Sequence, residues 1–181
     1  MWITSTGLHN QKKAELGLSK PFFFNAPIDN WDTSVIDYFK RDSNFRFAAE
    51  PGEWKAVDHT GIIETDGAVF YFHSHPLFKD FDTGKIDFCY ITRNGNRRLH
   101  SVCLILSFKD EEECKVAYDS VLERLKDLKE DTDLGNNEYL VWLKDDFSHF
   151  KYLYLSYTPE APDFRGRRFY WLRLQGKDGS F

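Results

Sequence analysis

The chain holds one methionine, six prolines and three cysteines in 181 residues, and no apolar run near the roughly 18 residues that span a bilayer. The longest such run is of the Val102 to Leu106 kind, so no transmembrane segment is expected. Cys89, Cys103 and Cys114 cannot all pair within one chain, and none forms a two-residue-spaced couple suited to zinc or redox exchange. Each is expected as a small buried hydrophobe. Also missing are a Gly-x-Ser-x-Gly elbow, a Gly-x-x-x-x-Gly-Lys loop and a Gly-x-Gly-x-x-Gly fingerprint, while Asp145-Asp146 lacks the ligand spacing of a calcium loop. Positive charge is not in excess: 24 basic residues face 29 acidic ones, a net of −5 with pI near 5.7. Without a global basic field, nucleic acid is an unlikely partner.

What is abundant is aromatic surface. Seventeen Phe, nine Tyr and five Trp make up 17% of the chain, a bias toward wide flat side chains that pleated sheets accommodate well. A mass of 21.4 kDa suffices to bury a core, and the whole chain, 1–181, is expected as a single compact domain. The acidic excess is local. Lys109 to Asp133 carries ten acids and five bases, which accounts for the entire imbalance and leaves the remainder neutral.

The same stretch holds the clearest element. Cys114, Ala117, Tyr118, Val121, Leu122, Leu125 and Leu128 recur at three- and four-residue steps, predicting one apolar stripe of a helix from Asp110 to Lys129. Asp110 is placed to cap its first turn, with Glu113 reaching back, and the acids Glu111 and Glu112 suit the positive end of the helix dipole. An earlier helix opens at Asn30 or Asp32, carries Trp31, Val35, Ile36 and Phe39 toward a core, and ends near Arg41. A short leading helix is expected at Lys12 to Leu16, ahead of Gly17.

Strand patterns occupy Pro21 to Phe24, Glu53 to Val57, Ala68 to Phe72, Ile86 to Thr92, Leu99 to Phe108, Glu138 to Leu143, Lys151 to Tyr157 and Arg167 to Gln175. Asn94-Gly95 supplies the positive φ angles of a hairpin turn, and a second hairpin is expected at Asp145 to Ser148. The expected class is therefore α+β, an antiparallel sheet with helices packed on one face. Strand, helix and meander occur twice, near 21–95 and 99–175, which suggests a duplicated unit.

The segment LILSFKDEEECKVAYDSVLERLKDL, between a strand and a meander, resembles the two-layer β-lactamase-inhibitor-protein-like domains of bacterial secreted and envelope lipoproteins. That resemblance implies a non-enzymatic binding domain and leaves an envelope location open. The opening Met1 to Gly7 has no basic region followed by an apolar stretch, so no secretory signal is expected in it, and the domain is expected to be soluble.

Two local strings carry chemistry. Phe72-His73-Ser74-His75-Pro76 resembles the metal-binding core of the JAMM isopeptidases, which implies a zinc-dependent hydrolase. His73 and His75 match, Glu64 stands in for the upstream acid, and Thr83 falls where that family has serine. The third ligand position is Ile86, with Asp87 one residue late, and a one-residue slip in a strand turns the side chain to the other face. Zinc held by His73, His75 and Asp87 is thus the alternative to a site with no metal. Arg165 to Arg173 interleaves cations with Phe169, Tyr170 and Trp171, as single-strand binders do, and Arg93, Arg97 and Arg98 extend it. Trp54, Trp142 and Trp171 line either a binding surface or the core. The leading expectation is a non-catalytic interaction or structural domain whose partner is a protein, met by the open sheet face or by loops.

Overall fold

The computed structural model describes residues 20–24, 33–49, 54–58, 61–93, 95–125, 131–142, 150–159 and 169–178. After a 3-10 turn at Lys20–Phe23 come helix α1 (Thr33–Arg41) and strands β1 (Phe45–Ala49), β2 (Trp54–Asp58), β3 (Gly61–Phe72), β4 (Thr83–Arg93) and β5 (Asn96–Phe108). Helix α2 (Glu111–Leu125) leads into β6 (Asp131–Gly135), β7 (Glu138–Trp142), β8 (Tyr152–Pro159) and β9 (Tyr170–Lys177). The strands form one antiparallel sheet in the order β1-β3-β4-β5-β9-β8-β7-β6. β2 also pairs with β3. β1 takes Val69 to Phe72 and β2 takes Gly61 to Thr65 of the same edge, so the two short strands share one position.

Among the described residues strands far outweigh the two α-helices, so the chain is largely β. The antiparallel sheet of the expected α+β class is present, and its share is larger than that class implies because the aromatic and β-branched content lengthens β3, β4 and β5 to 12, 11 and 13 residues. A helix followed by a meander recurs, α1 before β1 to β5 and α2 before β6 to β9. β4 and β5 form an antiparallel hairpin across positions 93 and 96. β5 and β9 pair at the centre of the sheet.

Successive strand residues point to opposite faces. On what we call the core face, one register row runs Phe70, Ile86, Leu104, Leu174, Leu155, all buried. Phe39 of α1 brings its ring to 5.7 Å from Phe70 and 5.2 Å from Phe88. Tyr118 of α2 meets Tyr157 of β8 at 6.2 Å, and the Tyr157 hydroxyl donates to Glu111 Oε1 at 2.5 Å. Each such fully buried ring contributes about 1.5–3 kcal/mol by leaving water. The helix stripe is as the periodicity requires, with Cys114, Ala117, Tyr118, Val121 and Leu125 buried. The Glu112 and Glu113 amides donate to Asp110 Oδ1 at 2.8 and 3.1 Å, so Asp110 caps the first turn.

The segment at Phe22 to Phe24 is a turn and not the expected strand. All three rings are buried, which alternation along a strand in a one-sided sheet cannot achieve, and Phe24 leaves the turn at φ 60°. The leading helix at 12–16, Trp31, Leu128, the hairpin at 145–148 and Arg165 to Arg168 lie outside the described residues, as do the side chains of Val35 and Trp54. No described helix is long and apolar enough to cross a membrane.

Candidate binding face

The histidine string lies in the loop that leaves β3. Ser74 is held there by Asn44, whose Oδ1 accepts from the Ser74 amide at 3.1 Å and whose Nδ2 donates to the Ser74 carbonyl at 2.9 Å. His75 is buried. Its Nε2 donates to the Phe22 carbonyl at 3.0 Å, while its Nδ1 accepts from the Leu77 amide at 3.1 Å. Phe24 and Phe78 pack on the imidazole at 4.4 and 4.7 Å between ring centres. Burial lowers its pKa to about 4, against the weaker opposing effect of the bond to Phe22. Both ring nitrogens are therefore engaged, Nε2 in pinning the Phe22 turn to the loop after β3 and Nδ1 within that loop. His73, two residues earlier, is exposed.

Asp87 stands opposite Val69, four residues back along β3 from His73, a separation of roughly 14 Å along the strand. It pairs with Lys85 at 2.9 Å. The structure thus does not bring His73, His75 and Asp87 together, and the described residues contain no group of three or more His, Cys, Asp or Glu placed to hold a metal ion. Glu64 lies in β3 opposite Thr92, a position of the core-face parity, so it too is turned away from Asp87.

The three cysteines are free, two buried and Cys89 half-buried. Burial pushes all three thiols up, Cys114 to about 12, which leaves them poor nucleophiles. At the bulge where Cys89 pairs Ser101 and Tyr90 pairs Leu99, His100 is the extra residue. Its Nδ1 lies 2.9 Å from Asp178 Oδ1, and the Asp178 amide donates back to the His100 carbonyl at 3.0 Å. This buried pair fastens the end of β9 to β5.

The sheet face opposite the core has a different composition. One row runs Arg46, Tyr71, Lys85, Ile105, Arg173, Ser156, Glu138, and the next runs Val69, Asp87, Cys103, Gln175, Tyr154, Leu140. A third joins Cys89, Ser101, Lys177, Tyr152 and Trp142. Trp142 is 45% exposed and meets Tyr152 at 5.4 Å, and the Arg46 guanidinium lies 5.6 Å over the Tyr71 ring. Arg173 Nε donates to Cys103 Sγ at 3.3 Å, so the arginine stem covers the buried centre of β5.

Near the end of this face is a cavity of about 340 Å³, within the range of small-ligand pockets. Its floor is built by Thr83 and Lys85 of β4 with Ile105 and Ser107 of β5, and its walls by Tyr71 of β3 on one flank and Trp171 of β9 on the other. The flanking backbones stand three strand spacings apart, about 14 Å. Phe169 and Asp82 close the end, with Asp82 ion-paired to Lys109. A larger groove of about 640 Å³ lies between Leu77 to Asp80 and the start of α2, rimmed by Glu112 and Glu113 with Val116 63% exposed.

Of the basic residues expected to act together, Arg173 reaches the outer face, whereas Arg97 turns the other way. Arg97 lies 3.7 Å over the Tyr90 ring and pairs with Asp66 at 2.8 Å. Tyr71, Lys85 and Tyr154 were not singled out from sequence, since only the register reveals that they share a face with Trp171. No protein family, curated protein or solved structure matches the chain.

Proposed function

We propose that the chain is a non-catalytic binding domain in which both helices cover one face of the antiparallel sheet and the opposite face meets a partner. The observation that carries this is the cavity between Tyr71 and Trp171, continuous with a face bearing Tyr154, Tyr152 and the exposed Trp142. Aromatic and arginine side chains standing on a rigid sheet are the groups that anchor interfaces, because they bury much area at little cost in conformational entropy. The core-face rows are already used by α1 and α2, so binding by the outer face disturbs no packing. The resemblance of the strand-helix-meander segment to two-layer binding domains points the same way. We also read the recurring helix and meander as a duplication whose halves meet at β5 and β9.

The test is capture from a whole-cell extract on the immobilised chain, comparing Trp142→Ala with Trp171→Ala and with Val116→Ala on α2. Loss of the captured component in the two tryptophan variants and its retention in the helix variant is expected. Retention in both tryptophan variants, with loss in Val116→Ala, would move the binding surface to the acidic groove.

A further inference from the structure

We infer that the outer face takes a single-stranded nucleic acid, an inference that rests on this face being the binding surface and names its ligand. The net charge of −5 conceals how the structure sorts charge. The acids that make the excess sit on α2, among them Glu111, Glu112, Glu113, Asp119 and Glu123, over the core face. By register the outer face instead collects Arg46, Lys85, Arg93, Arg98, Arg173 and Lys177. Among the described side chains these six cations meet Asp87, which pairs with Lys85 at 2.9 Å, Glu138, and Asp82 at the cavity's end, itself paired with Lys109, with Asp178 at the end of β9 facing Arg98 at 3.5 Å.

The cations are interleaved with rings in the sense that single strands require. Across the sheet Tyr71, Lys85 and Arg173 share a row, and along β9 Trp171, Arg173, Gln175 and Lys177 alternate with buried Leu172 and Leu174. Bases stack on Tyr71, Trp171 and the Trp142–Tyr152 pair, while phosphates meet the guanidinium and ammonium groups between them. A duplex hides its base faces and cannot use the rings. An acidic protein or a polysaccharide also packs on exposed rings, so direct binding of a defined oligonucleotide together with the ring dependence, and not the ring dependence alone, separates the ligands.

Fluorescence anisotropy of the full chain with fluorescein-labelled oligo(dT) and oligo(U), each of roughly 15 nucleotides, tests this at low and rising salt. Binding of either is expected, with a log–log salt slope that shrinks in magnitude by about 0.7 when Arg173 becomes Ala. Trp171→Ala weakens binding roughly tenfold or more, and Trp171→Tyr, which keeps a stacking ring, retains most of it. The relative affinities of the two oligomers tell whether the strand is DNA or RNA.

No binding of either oligomer at low salt overturns the inference. So does binding that Trp171→Ala leaves unchanged while heparin competes fully, which marks a face that senses only charge. If the oligomers fail but extract capture still depends on Trp142 and Trp171 and survives nuclease, the binding face stands and only its ligand is wrong.

Discussion

His75 Nε2 donates to the carbonyl oxygen of Phe22 across 53 positions of chain, at 3.0 Å. One imidazole thereby fastens the Phe22 to Phe24 turn, with its three buried rings, to the loop that follows β3. The bond needs a neutral ring whose Nδ1 is free to accept from Leu77, and burial among phenylalanines enforces that state.

The pH dependence of stability follows from it. The folded pKa of about 4 lies below the ordinary 6.5, so above pH 6.5 neither state is protonated and the group costs nothing. As pH falls from 6.5 toward 4 the unfolded chain gains a proton that the folded chain refuses, and stability drops by about 3 kcal/mol. His100, also lowered chiefly by burial, adds to the loss in the same direction. Denaturation followed at pH 7.5 and 4.5 is expected to show this decline, and His75→Gln to flatten it.

Gly84 faces the Phe72 ring so closely that an added Cβ would lie 2.1 Å from it. Phe72 is itself buried against Phe24 and Phe45 and has nowhere to retreat. Gly84→Ala is expected to cost about 2 kcal/mol, read as a lowered melting temperature. Gly176→Ala, whose Cβ would lie 2.8 Å from Phe150, is expected to cost less.

Asp110→Ala removes the acceptor for the free amides of Glu112 and Glu113, the second and third residues of α2. A loss of about 1 kcal/mol is expected by chemical denaturation, with Asp110→Asn nearly neutral. An equal loss in both variants would mean that charge, and not the cap, is what stabilises this end.

The two histidines of the loop should part company. His73→Ala, at an exposed position, is expected to change stability by no more than about 0.5 kcal/mol, whereas His75→Ala should lower the melting temperature clearly. Prolonged treatment with a chelator is expected to leave the wild-type melting temperature unchanged. A fall of several degrees on chelation, matched by His73→Ala, would restore the zinc alternative.

The parts of the fold governed by local chemistry were legible. The stripe of Cys114, Tyr118, Val121 and Leu125 and the cap at Asp110 read correctly because both are set within a few residues. β6, Asp131–Gly135, was missed because its acids and glycine are poor strand formers, and only pairing with β7 holds it extended. Phe22 to Phe24 read as a strand from propensity, yet distant contacts to His75, Phe39 and Phe150 fold it into a turn. The outer face was half visible: alternation along β9 shows Trp171 and Arg173 on one side, but their neighbours Ile105 and Lys85 come from strands that only the register brings alongside. Whole-chain charge weighs against nucleic acid, whereas the register shows which face of the sheet each basic residue occupies, something no sum over residues resolves.

Photocrosslinking tests the central claim most directly. With p-benzoylphenylalanine placed at Trp142 on the outer face or at Val116 on α2, irradiation in extract is expected to yield a discrete adduct at position 142 and none at position 116. An adduct at 116 alone would contradict it, and would place the partner on the helical side.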